Sequence, residues 1–316
     1  MADDTVTFDP DLADLPKGAW LTRLSHVAED HGFFNALGRR HFAAHVRRSD
    51  TLLVTFETVQ GMRALSDRDE PIGWSMVRAE GWSHLLLACD GDTWFRDRAV
   101  FGLFDTLIDQ GFFDAFDTVL FYGAGPCGYA AAAYSVAAPG ARVIAVQPQA
   151  TLDPRITEWD DRFTDMRRTD FTSRYGYAPD MLDACDHAFV LYDPAERLDA
   201  MHAALFTRPG VTKLRLRHMG DAIQSALMEM DVLSTLFTAA AAGTLDAAAF
   251  ASLYRARRDN RGYLRRLLAA TDARETTGLS RHLCNNVTAR LSPAPRFERR
   301  LAEIKRARNQ TEPAAL

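Results

Sequence analysis

The sequence predicts an α/β protein with a mostly parallel, doubly wound sheet, and three features carry that expectation. Short apolar, β-rich runs alternate with helical runs between residues 51 and 216, the pattern of βαβ units. After Ala222 the strand-like runs stop and helical periodicity takes over. Residues 116–135, FDTVLFYGAGPCGYAAAAYS, read as a buried strand, a tight glycine turn and an alanine-rich helix. That unit presents one residue at a strand tip, facing the N–H groups that open a helix.

In chain order, residues 11–48 read as two short helices broken near Gly32, so 1–48 is expected to be a helical lead. Residues 52–56 (LLVTF) and 84–88 (HLLLA) are strands, the first followed by a turn or helix at 61–65, the second by a helix at 99–110. The strand at 119–122 enters the alanine helix, and 142–146 (RVIAV) is the next strand. A polar excursion over 151–183 precedes a strand at 188–192, a helix at 195–206 and a strand at 212–216, which completes a core of 49–221. Residues 222–241, 247–258 and 263–270 are helical, and 297–308 is a charged helix after Pro293 and Pro295. Together 222–316 form a helical extension, ending in a frayed NQTEPAAL.

At 316 residues the chain accommodates one large domain and an appendage. With 47% hydrophobic and 25% charged residues, it falls outside the disordered and collagen-like classes. The net charge of −5 is unevenly spread: residues 252–308 hold fifteen basic and five acidic side chains. Aromatic or glycine interleaving is sparse there, so a protein partner is expected on these helices and nucleic acid is not. Four scattered cysteines, Cys89, Cys127, Cys185 and Cys284, indicate neither a disulfide framework nor a zinc site. The acidic start has no apolar core of a secretory signal. No run nears the roughly 18 apolar residues of a membrane span, and a reducing cytoplasm is expected.

Two chemistries use such a glycine turn. Gly123-Ala124-Gly125-Pro126-Cys127-Gly128 satisfies G-x-G-x-x-G, and it satisfies G-x-S-x-G except that Gly125 replaces the serine. The stretch VLFYGAGPCGYAAAA resembles the GAGPxG turn of FAD-dependent oxidoreductases, which implies an FAD or NAD(P) cofactor. Gly220-Asp221-Ala222 resembles that family's second flavin-contacting motif. The ribose-holding acid, however, would fall on Gln147, and the turn comes only after two earlier strands.

Several pieces in order resemble α/β-hydrolase-like proteins of bacterial capsule, surface-polysaccharide and accessory-secretion loci. Residues 52–56 resemble their first core strand, and Cys89-Asp90-Gly91-Asp92-Thr93-Trp94-Phe95 their strand-end Asp with an aromatic pair. Tyr122-Gly123 through Gly128-Tyr129-Ala130-Ala131 resembles a Y-G-x-S-x-G-G-Y-A-A elbow, and Gln147-Pro148-Gln149 with Asp153 the following P-Q-x-x-x-D stretch. The resemblance spans about 51–227 and implies a triad. Its serine position falls on Gly125, its acid on Asp193, and its histidine on Gly220-Asp221, with His218 nearby.

Glycine cannot be acylated, so a non-hydrolytic protein is expected, binding a carbohydrate, acyl or nucleotide-type ligand or a protein partner without a cofactor. Gly123, Gly125, Gly128, Phe56, Asp90 and Trp94 are the candidate ligand contacts. The alternatives are an atypical esterase built on Cys127, Asp193 and His218, and the FAD- or NAD(P)-dependent oxidoreductase. In the esterase, helix N–H dipoles would lower the Cys127 thiol.

His41 and His45 share a helix face as H-F-A-A-H but lack a third metal ligand, so no metal is expected. Glu158, Asp160, Asp161, Asp165 and Asp170 interleave with four arginines like a salt-bridged lid. Trp94, Phe95, Trp159 and Tyr175 fall on strand-end loops, where aromatic rings pack or stack on sugars.

Overall fold

The computed structural model describes residues 8–311; residues 1–7 and the last five residues of NQTEPAAL lie outside them. Helix α1 (Lys17–His31) leads into strands β1 (Gly32–Leu37) and β2 (His41–Val46). The expected second helix of the lead is thus a β-hairpin, and the sheet begins at Gly32. Residues 41–46 are buried on both faces, which erases the alternation that marks a half-buried strand, and tertiary packing overrides the helical bias of its alanines.

The chain continues through β3 (Thr51–Thr58), α2 (Val59–Leu65), α3 (Ile72–Glu80), β4 (Ser83–Cys89), α4 (Arg98–Asp109), β5 (Thr118–Ala124) and α5 (Pro126–Tyr134). Next come β6 (Arg142–Val146), α6 (Pro154–Thr157), α7 (Ala178–Met181), β7 (His187–Tyr192), α8 (Arg197–Leu205) and β8 (Val211–Arg215). All six expected core strands are present. The eight strands order as β1-β2-β4-β3-β5-β6-β7-β8. Only β2 runs antiparallel to both of its neighbours, and the pairs from β4 to β8 are parallel. This strand order, with a strand–turn–helix elbow on the central β5, is an α/β-hydrolase-like fold.

Alternation along the strands feeds two layers. Val54, Phe56 and Phe121 face the side covered by α4 and α5, where Ala130–Ala133 are fully buried and let α5 lie close to the sheet. Leu53, Leu120 and Tyr122 face the opposite layer with Phe237. A third cluster, with Trp20, Phe42 and Trp74, lies under α1.

After β8, the described residues hold only helices: α9 (Ile223–Glu229), α10 (Leu233–Ala241), α11 (Ala247–Leu253), α12 (Arg261–Ala273), α13 (Thr277–Arg290) and α14 (Pro295–Thr311). Asp231, at φ 55, splits the single expected 222–241 helix in two. Leu227, Leu233 and Phe237 pack on the sheet. Leu264 and Leu268 instead join Cys284, Val287 and Phe297 in a separate cluster among α12, α13 and α14.

Candidate functional site

The elbow is built by backbone geometry. Gly125 sits between β5 and α5 at φ 59, ψ −125, a conformation in which an L side chain is strained. Its N–H donates to Val146 O at 2.8 Å, and its carbonyl accepts the Tyr129 N–H at 3.0 Å. A Cβ placed on Gly125 would meet nothing within 4 Å, so the position points into open space. The neighbouring glycines have a different role. A Cβ on Gly123 would lie 2.1 Å from Cys127 O, and one on Gly128 2.9 Å from Val146 O. Both let α5 cross the sheet closely, and that packing accounts for their being glycine without a phosphate.

The positions that form the triad and oxyanion hole of a hydrolase elbow hold other residues or other contacts here. In the hydrolase arrangement an oxyanion is held by the N–H of the residue after the nucleophile; here that residue is Pro126, which has none. Asp193, 1% exposed, accepts the Ala195 N–H at 2.9 Å and the Gly220 N–H at 2.8 Å. Among the described residues no hydrogen bond joins Asp193 to His218. His218 sits in a left-handed turn at φ 67, its pKa lowered by burial against the attraction of Asp193, and it does not line the space above Gly125. Cys127 is buried in the core beneath the elbow. Its hydrogen bond with the Cys89 thiol and its burial push the Cys127 thiol well above its ordinary range, the reverse of the expected helix-dipole effect. A protonated buried thiol is a poor nucleophile.

Above Gly125 lies a cavity of about 400 Å³, walled by Ala124 and Pro126, by Gln147 and Gln149 beyond β6, and by Arg162 and Phe163 of the excursion. Asp199 of α8 and residues 221–225 close the remaining side. Its polar wall is one continuous network. Gln147, at φ 48, donates through Nε2 to Asp199 Oδ2 at 2.8 Å and accepts the Ile223 N–H at 3.2 Å. Arg162 donates to Asp199 Oδ1 at 2.6 Å and forks onto Asp160 at 3.0 and 2.8 Å. His202 Nδ1 accepts the Ala150 N–H at 3.1 Å, so Nε2 carries the proton and donates to Asp160 Oδ2 at 2.8 Å. Against the effect of burial, the His202 and Arg162 hydrogen bonds hold the Asp160 carboxyl well below its usual range.

The remaining candidates fall elsewhere. Trp94 is buried and reaches the cavity wall only by donating to Gln149 Oε1 at 3.3 Å and packing edge-on to Phe163 at 4.8 Å. Phe56 is buried between Phe95, at 4.9 Å, and Tyr134. Asp90 lies outside the cavity, accepting from Lys17 at 2.6 Å and Gln60 at 2.7 Å. Of the loop aromatics, Phe95 and Tyr175 are buried and Trp159 packs at a tilt against His202, the ring centroids 4.6 Å apart. His41 and His45 sit on β2, not on a helix; His41 bonds Thr93 Oγ1 and His45 bonds His84 O, each at 2.9 Å. No metal-binding cluster occurs among the described residues.

The sequence marked Asp160 and Arg162 only as lid charges and left out Asp199 and His202. Their D-x-x-H spacing puts them on one helix face, the signal that could have found them.

No protein-family model matches the chain, and no curated protein matches it. Among solved structures, it is similar to the glycosylation-associated protein (Gap123) complex of Streptococcus agalactiae, at 13% identity and a TM-score of 0.42, over 64% of this chain and 44% of the other. The chain thus spans less than half the length of that relative. It is similar to a hyperthermophilic esterase of the archaeon Pyrobaculum calidifontis, at 12% identity and a TM-score of 0.42, over 76% of this chain and 94% of the other. A capsule O-acetyltransferase of Neisseria meningitidis serogroup A is similar at 13% identity and a TM-score of 0.37, over 63% of this chain and 91% of the other. The fold is therefore read from the strand order and the elbow of the chain itself. The chain has an α/β-hydrolase-like fold whose elbow carries glycine where the nucleophile stands.

Proposed function

We propose that this protein binds a small ligand in the cavity above Gly125 and does not hydrolyse it. The observation that carries this reading is the open elbow. Gly125 supplies no nucleophile, Pro126 no oxyanion donor, and Asp193 is held by two backbone N–H groups, while the pocket above them persists. A polar wall fixed by mutual hydrogen bonds is preorganised for binding.

The lining chemistry supports a carbohydrate or acyl-type ligand. Amides, the Ser225 hydroxyl and the Phe163 ring line the cavity. The Arg162 charge is already matched by Asp160 and Asp199, so a neutral hydroxyl-bearing ligand is favoured over an anion. Gln147, at the ribose position of a dinucleotide turn, has its amide engaged at both ends, which supports a ligand other than FAD or NAD(P). Four free cysteines fit a reducing compartment such as the cytoplasm. No helix among the described residues is long and apolar enough to cross a membrane.

Saturation-transfer NMR with neutral monosaccharides and short acyl esters tests this reading. Signal is expected from at least one neutral ligand, with no product forming, and is expected to vanish in Ala222→Trp, which fills the cavity. Ligand contacts that survive Ala222→Trp place the binding elsewhere and refute it.

A further inference from the structure

We propose that the grooves on either side of α13 dock an acidic, amphipathic segment of a partner protein. This surface belongs to the C-terminal helices and is independent of the cavity above Gly125.

Helix α13, TGLSRHLCNNVTAR, contains no Asp or Glu over its whole length. One groove, of about 760 Å³, lies between α13 and α14 and is lined by Arg281, His282, Asn285, Ile304 and Lys305. The other, of about 490 Å³, lies toward α12 and is lined by Arg258, Tyr263, Leu264, Leu267, Leu283 and Arg290. No carboxylate lines either groove, although two line the cavity above Gly125. Of the lining cations, Arg290 pairs with Asp259, and salt bridges elsewhere on these helices engage Arg300 and Arg266. Among the described residues, the side chains of Arg258, Arg281 and Lys305 have no carboxylate partner. Leu279, 59% exposed and the most exposed of the large apolar residues described, stands on α13 one turn before Leu283, on the side of the second groove.

Unpaired cations around apolar floors (Ile304 in one groove, Leu264, Leu267 and Leu283 in the other) call for an occupant that is both acidic and apolar. An amphipathic acidic segment offers both. A nucleic acid would need several exposed stacking faces, and Tyr263 is the only Phe, Tyr or Trp lining these two grooves, with the Arg257 guanidinium 5.7 Å from its ring centroid. A lipid surface meets convex faces, whereas these cations line concave ones.

Fluorescence anisotropy of the full chain with a labelled peptide of Glu and Leu at helical spacing tests the proposal. The peptide should bind, more weakly as salt rises, and should bind more tightly than polyglutamate of equal length or a labelled oligo-dT. The double variant Arg281→Glu, Lys305→Glu and the single variant Arg258→Glu should each lose about ten-fold or more in affinity. Arg281→Lys should retain binding, and thermal unfolding should show every variant folded. Absent peptide binding at low salt, equal binding by folded charge-reversal variants, or tighter binding of oligo-dT would each overturn the proposal.

Discussion

Asp193 Oδ2 accepts the backbone N–H of Gly220 at 2.8 Å. The strand-end acid of a hydrolase core thus ties down the turn in which a triad histidine would sit. With its acceptor removed, the buried Gly220 N–H loses its partner. Asp193→Ala should therefore cost about 2 kcal/mol, and Asp193→Asn, which keeps an acceptor, clearly less. Urea unfolding of both variants measures this, and equal stabilities would show that the carboxylate does not hold the turn.

The elbow glycines should separate sharply by position. Gly123→Ala drives a Cβ to 2.1 Å from the Cys127 carbonyl oxygen and should cost roughly 3 kcal/mol or more, because the backbone must move. Gly125→Ala meets open space and bears only the strain of its positive φ, about 1–2 kcal/mol. If thermal unfolding ranks the two the other way, the elbow is not formed as described.

Glu57 should give stability a distinct pH dependence. Burial raises its carboxyl to about 7, although it accepts the Thr55 hydroxyl at 2.6 Å and the Ile72 N–H at 3.1 Å. In an unfolded chain it titrates near about 4.3. Its contribution is fully present below that value and is lost as pH rises through about 7, roughly 3 kcal/mol in all. His45 and His84, lowered by burial to about 4 and about 3, act oppositely: their contribution is present above roughly 6.5 and lost on acidification. The difference between wild type and Glu57→Gln isolates the glutamate. The advantage of the variant should grow from pH 4 to pH 8, and a pH-independent difference would contradict the raised pKa.

His202 should be structural. It bridges the Ala150 N–H and the Asp160 carboxylate, and both histidine and aspartate side chains are fully buried. His202→Phe strands the Ala150 N–H and leaves Asp160 to Arg162 alone, and should cost about 2–4 kcal/mol, with loosening of the cavity wall through Arg162. Calorimetric unfolding within about 0.5 kcal/mol of wild type would show that the network does not brace the wall.

The sequence revealed the six parallel strands because each is a short apolar run bounded by turns. The β1–β2 hairpin escaped because HFAAHV is covered on both faces and shows neither period. At the site, the turn at Gly125 and the position of Asp193 were legible from local pattern. The cavity wall was not: Gln147, Asp160 and the Asp199–His202 pair of α8 come from three segments, and only the sheet brings them together. The buried setting of Cys127 depends likewise on Cys89, two strands away across β3.

The central claim is an elbow without hydrolysis, and turnover of short-chain p-nitrophenyl esters by the purified protein tests it most directly. Wild type should match the buffer rate. Gly125→Ser should match it too, because Pro126 offers no N–H and no imidazole reaches the turn. Wild-type turnover above buffer that is lost in Cys127→Ala would contradict the account.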